Sequence, residues 1–164
     1  MKKVLVVMGS DSDLKVMEKC VDRLKSFDIP VEVRICSAHR TPAVAEQLAK
    51  NAAAEGFGVI IAAAGKAAHL GGVLAAQTTL PVIGVPIKSS FMDGLDSLLS
   101  IVQMPSGIPV ATVGVNGAEN AAILAVQMLA LSEPELDSKL DAFKAEMAQK
   151  VEAKDAKIRA QFAK

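Results

Sequence analysis

Short runs of β-branched and other apolar residues recur along the chain, each closed by glycine or proline. They are KVLVVMG (Lys3 to Gly9), PVEVRIC (Pro30 to Cys36), GVIIAAAG (Gly58 to Gly65), LPVIGVP (Leu80 to Pro86) and IPVATVGV (Ile108 to Val115). Runs of this kind predict strands. The segments between them switch to a helical period: Leu14, Met17, Val21 and Leu24 after the first run, Val44, Leu48 and Ala52 after the second, and Leu95, Leu98, Leu99 and Val102 after the fourth. Spacings of three and four give each helix one apolar face. Strands that are apolar on both faces and alternate with helices predict a parallel sheet covered on both sides, a doubly wound α/β fold.

From Gly117 onward the pattern is helical. An Ala-rich stretch, GAENAAILAVQMLAL, is followed by Ser132 and Pro134, which read as the cap and first turn of a new helix. In that helix Leu136, Leu140, Phe143, Met147 and Val151 form one apolar stripe, and the sequence turns charged from Lys150 to Lys164. The expected organisation is a single domain over residues 1–164, with an α/β core over 1–131 and a C-terminal helix over 132–164. That helix packs either on its own domain or, given its length, on a neighbouring subunit.

Composition narrows the partners. Apolar residues make up 51% of the 164, yet no run approaches the roughly 18 residues needed to cross a bilayer. The basic start and first apolar run resemble a secretory signal only superficially, because the run leads into an acidic turn without a cleavage site; a cytoplasmic protein is expected. Lys plus Arg and Asp plus Glu balance at 18 each and there is no Trp or Tyr, which argues against nucleic acid as a partner. Cys20 and Cys36 lack a C-x-x-C spacing and read as reduced thiols. No cluster of His, Cys and carboxylates has metal-ligand spacing, so no metal is expected.

In an open parallel sheet, ligands bind beyond the carboxyl ends of the strands, so the turns there hold the candidate chemistry. The first, GSDSD, offers Gly9, Ser10, Asp11, Ser12 and Asp13. Ser and Asp are favoured helix caps, but four polar residues in a row exceed the needs of one cap, and an Asp here can accept hydrogen bonds from sugar hydroxyls. The second turn, CSAHRTP, places Ser37, Ala38, His39 and Arg40 before a helix that Thr41 and Pro42 begin. Unpaired amides at that helix start and the Arg40 guanidinium suit a phosphate. Imidazole titrates near neutral pH, which gives His39 a proton-transfer role that phosphate binding alone does not require.

The third turn, AAAGKAAHLGGVLA, has neither a dinucleotide fingerprint nor a phosphate-loop pattern. Its small residues allow backbone to approach a flat ligand, and His69 reads as a helix-start histidine held by backbone hydrogen bonds. The fourth turn adds Lys88, Ser89 and Ser90, with Asp93 as a cap for the next helix. Gln103, Met104 and Pro105 follow in a connection that is either a surface loop or one wall of a pocket.

Taken together and in order, MGSDSD, SAHRTP, AG-AAHLGG, GVPIKSS, DSLLSIVQMPSGIPVAT and NAAILAVQML resemble the small catalytic phosphoribosylaminoimidazole carboxylase family of purine biosynthesis over nearly the whole chain. SAHR and AAHL resemble the bacterial branch, which moves a carboxylate from the exocyclic nitrogen of N5-carboxyaminoimidazole ribonucleotide to ring carbon 4. The branch that carboxylates aminoimidazole ribonucleotide directly with CO2 typically has SAHK and lacks AAHL. The resemblance implies a three-layer αβα sandwich with a flavodoxin-like parallel sheet, a homo-octamer that exchanges its long C-terminal helix, a small-molecule substrate and no cofactor.

It further implies that His39 is the general acid/base. Ser10, Asp13 and Arg40 match contacts to the ribose 5′-phosphate, with Ser37 beside them, and Gly9, Asp11 and Ala38 complete these two turns. Ala64, Gly65, Ala67, Ala68, His69 and Leu70 match the segment around the base and the migrating carboxyl group. Lys66, where Gly is common, and Gly71, where Pro is common, depart from the family pattern. The alternatives are the CO2-using carboxylase reaction and a non-catalytic module that binds a phosphoribosyl ligand.

Overall fold

The computed structural model describes residues 1–163; Lys164, the last residue of the expected C-terminal helix, lies outside the described residues. The strands are β1 (Lys3–Met8), β2 (Val31–Ile35), β3 (Phe57–Gly65), β4 (Val82–Ile87) and β5 (Ala111–Thr112), joined in one parallel sheet in the order β2-β1-β3-β4-β5. Interior strands β1, β3 and β4 are apolar at nearly every position, a composition that is stable only when both faces are covered.

The helices do this. On one face lie α1 (Leu14–Ser26), α5 (Ala118–Ala130) and the start of α6 (Pro134–Phe162); on the other lie α2 (Pro42–Asn51), α3 (Leu70–Ala75) and α4 (Leu95–Val102). Alternation along β1 divides its side chains between the layers. Val4, Val6 and Met8 pack with Met17, Cys20 and Leu24 of α1 and with Ala121, Ala125 and Val126 of α5. Leu5 and Val7 pack with Ala45 and Ala49 of α2, Leu70 and Leu74 of α3 and Ile101 of α4. The result is the three-layer, flavodoxin-like sandwich with a long C-terminal helix.

Several local expectations are corrected. The fifth strand is two residues long, not the whole of Ile108 to Val115, because Pro109 cannot donate to a ladder and confines regular pairing to a stub at the edge. The chain still follows β4, with the Val113 amide donating to the Gly84 carbonyl (3.1 Å) and that of Asn116 to Pro86 (2.8 Å). Helix α6 begins at Pro134 as expected, but its N-cap is Glu133; the Ser132 hydroxyl instead donates to Leu129 and closes α5. Asp93 does not cap α4, whose N-cap is Gly94 at φ +98°; its carboxylate pairs with Lys88 at 3.2 Å.

The helix faces also differ. In α2 the alanines Ala45 and Ala49, and Ala52 just beyond, are buried while Val44 is exposed, since small residues let the helix lie close on the sheet. In α4 the buried residues are Ser97 and Ile101, whereas the expected face has Leu95, Leu99 and Val102 exposed at 43%, 46% and 46%. Edge strand β2 likewise leaves Val33 and Ile35 exposed. The first turns of α6 pack on the chain's own core through Leu136 and Leu140, and Phe143 meets Phe27 edge-on at 5.7 Å. Every described residue from Lys144 onward is exposed. Among the described residues no helix is long and apolar enough to cross a membrane.

Candidate active site

Parallel register brings the strand ends to one edge: Met8 lies beside Ile35 and Ala63, and Gly65 beside Ile87. The turns after β1, β2, β3 and β4 therefore gather at the carboxyl edge, around the point between β1 and β3 where the winding direction reverses. This is where open α/β sheets hold ligands. A cavity of about 700 Å³ opens there, within the range of small-molecule sites.

From the first turn, Gly9, Ser10, Ser12 and Asp13 reach the wall. Ser10 N-caps a short 3-10 turn over Asp11–Asp13, accepting from the Ser12 amide (3.3 Å) and the Ser12 hydroxyl (2.9 Å) while donating to Asp11 (3.2 Å). Asp11 supports this network from outside the wall. Asp13 is only 6% exposed. Burial raises its carboxyl above the ordinary carboxylate range, with the Ser10 backbone partly offsetting that rise and Asp11 adding to it.

From the second turn come Ser37, Ala38, His39 and Arg40. Thr41 holds the N-cap position of α2, but its hydroxyl turns back to Ser37, donating to the carbonyl and accepting from the amide, both at 3.0 Å. The Ser37 hydroxyl accepts from the Arg40 amide (3.1 Å) and from Arg40 Nε (3.4 Å). The turn thus fixes the guanidinium without neutralising it, and no carboxylate pairs with Arg40 among the described residues. Among the described residues no side chain caps α2, but the expected row of unpaired amides shrinks to Ala43, because Pro42 carries no N–H and the Val44 and Ala45 amides donate to the Thr41 carbonyl at 3.1 and 3.2 Å.

The third turn contributes Ala64, Gly65, Lys66, Ala67, His69 and Leu70. Ala68 points into the core instead and is 1% exposed. Contrary to the expectation of a ring held by backbone, His69 Nδ1 lies 2.9 Å from His39 Nε2, with the rings edge-on. One nitrogen of this contact must carry the hydrogen and the other must accept it, so a single hydrogen bond links the two turns across β1. Sequence reasoning missed the pair because 30 residues separate the rings; the strand order alone brings them together. It also underweighted Lys66, Lys88 and Ser89, all in the wall. Gln103 and Met104 line a second cavity of about 430 Å³ that meets the first at His69. No group of three or more His, Cys, Asp or Glu side chains among the described residues could hold a metal ion.

A crevice with free cations, serine hydroxyls and a histidine pair at the switch point of a 2-1-3-4-5 sheet defines a flavodoxin-like protein suited to an anionic small molecule. A family model described as AIR carboxylase matches residues 3–150, and the chain belongs to that family. It is 56% identical over 156 residues to an N5-carboxyaminoimidazole ribonucleotide mutase of Mycobacterium tuberculosis, covering 95% of this chain and 90% of the relative. It is likewise 56% identical over 147 residues to a protein of the same name from Pyrococcus abyssi, covering 90% of this chain and 84% of that one. Among solved structures, Treponema denticola PurE superposes with a TM-score of 0.87 at 31% identity, covering 95% of this chain and 98% of that one.

Proposed function

We propose that the chain is an isomerase of purine biosynthesis leading to IMP, converting N5-carboxyaminoimidazole ribonucleotide to 4-carboxy-5-aminoimidazole ribonucleotide. The observation that carries this is His39, on the phosphate-suited turn and in contact through His69 with the turn of small residues, in a chain 56% identical to mutases of that name. Ser10, Asp13, Ser37 and Arg40 hold the ribose phosphate end, and Gly9 and Ala38 supply backbone beside it. The Ala64 to Leu70 turn borders the imidazole and its carboxyl group.

The reaction balances within the substrate. His39 delivers a proton to the exocyclic nitrogen, the nitrogen–carboxyl bond breaks, and CO2 and a neutral amine result. Ring carbon 4 then attacks CO2, and the proton it carried passes back to the imidazole of His39, so nothing is gained or lost. Contact with His69 orients the His39 ring through both transfers. Ala64, Ala67 and Leu70 give the cavity an apolar lining in which CO2 is held beside its acceptor, while the phosphate contacts fix the ring.

We further propose that the working form is a cytoplasmic homo-octamer. The uncovered apolar residues of α4 and the projecting half of α6 support association of identical copies.

The test follows product absorbance in the ultraviolet, with freshly generated N5-carboxyaminoimidazole ribonucleotide at low bicarbonate or with aminoimidazole ribonucleotide and bicarbonate. The absence of Trp and Tyr keeps the protein's own absorbance low. Turnover of the first substrate is expected. Turnover only of the second assigns the CO2-using carboxylase reaction, and none with either leaves a binding module.

A further inference from the structure

Lys66 is the one cavity residue whose backbone and side chain make competing demands. It sits at φ +56°, in the left-handed region that a residue with a Cβ enters only at a cost. Its neighbours in the turn are glycine and alanine, so local propensity gives no reason for a long cationic side chain there. The residue lines the cavity and has no ion-pair partner among the described residues. Lys88, the other lysine in the wall, is partly neutralised by Asp93 at 3.2 Å.

Its place in the sheet gives this cation a direction. Arg40 and the serines of the first two turns occupy the β2 and β1 side of the crevice; Lys66 and Lys88 follow β3 and β4 on the other side. The His39–His69 pair bridges the turns after β2 and β3, and each of these turns also carries a cationic residue in the cavity wall, Arg40 on one and Lys66 on the other. Against these three fixed cations the wall sets one acid, the buried Asp13. A ligand with one anionic end satisfies Arg40 and leaves Lys66 unanswered.

Building on the mutase reading above, we propose that Lys66 is a specificity-determining residue whose ammonium group binds the carboxylate of the substrate and product, selecting carboxylated imidazole ribonucleotides over the uncarboxylated one. The phosphate anchors at Arg40 for either ligand, so the Lys66 contact contributes only when the carboxylate is present. A charge-assisted hydrogen bond at a partly open site corresponds to roughly tenfold in affinity.

Calorimetric titration of 4-carboxy-5-aminoimidazole ribonucleotide and of aminoimidazole ribonucleotide tests this in the full chain and in the Lys66→Gln, Lys66→Gly and Lys66→Arg variants. Gln and Gly should each weaken the carboxylated ligand about tenfold and the uncarboxylated one less than twofold, and Arg should restore most of the difference. Equal losses for both ligands, or no loss in Lys66→Gln, would overturn the assignment while leaving the mutase reading intact. A wild-type chain that binds neither ligand would instead overturn the mutase reading itself, and the Lys66 assignment with it.

Discussion

At the scale of single residues, local chemistry is legible in the sequence but pairing is not. His39 stands out as a titratable ring beside Arg40 at a helix start. Its contact with His69 depends on β2 and β3 flanking β1, which no local pattern states. Replacing His39 with Asn keeps the size and a hydrogen-bonding nitrogen but removes the titrating group; kcat should fall at least ~100-fold, with the fold retained by circular dichroism. Near-wild-type turnover would remove His39 from the proton transfers. Asp13 makes a pH prediction. Because burial raises its carboxyl above 3.8 in the folded chain, the folded state keeps a proton there over a range in which the unfolded chain has lost it. Stability therefore falls as pH rises from the ordinary carboxylate value through the raised one, so burial of Asp13 costs stability at neutral pH that it does not cost in acid. Thermal melts across that range should show Asp13→Asn more stable than wild type at pH ~7 and flatter in its pH dependence; a less stable variant at neutral pH would contradict the account. Lys66→Gly should stabilise the fold by about 0.5–1 kcal/mol in denaturant melts, because glycine relieves the left-handed conformation.

At the scale of elements, the strands and helices follow from periodicity, since a buried parallel strand and an amphipathic helix each need a particular spacing of apolar residues. Boundaries and faces were less legible. Pro109 shortened β5, and in α2 the buried face is the alanine face because close packing on the sheet favours small residues over the larger Val44. A glycine in β4 shows the same constraint from the sheet side. A Cβ built on Gly84 would stand 2.3 Å from Ile101 Cγ2 and 3.0 Å from Val110 Cγ1, so α4 lies against the strand only because the side chain is missing. Gly84→Ala should destabilise the chain by about 1–3 kcal/mol in equilibrium denaturation. An unchanged midpoint would mean that α4 can shift outward without loss.

At the scale of the whole molecule, one chain leaves apolar surface it does not cover. Leu95, Leu99 and Val102 of α4, with Phe91 and Met92 before it, are all exposed, and in α6 Met147, Val151, Ile158 and Phe162 are exposed as well. The periodicity that predicted an apolar face on α4 is accounted for if a second copy covers it. Sedimentation velocity should find a large assembly for the wild type and smaller species for Leu99→Asp; a wild-type monomer at micromolar concentration would exclude the proposed octamer. The sequence by itself determined the α/β alternation, the parallel sheet and the turns that carry the chemistry, because strand and helix periods and turn residues act over a few neighbours in the chain. Tertiary structure alone decided the strand order, and with it the meeting of His39 with His69, the burial of Asp13 and the placing of Lys66 across the crevice from Arg40. Each of these is a distance between residues remote in sequence, and only the packing of strands and helices sets such distances.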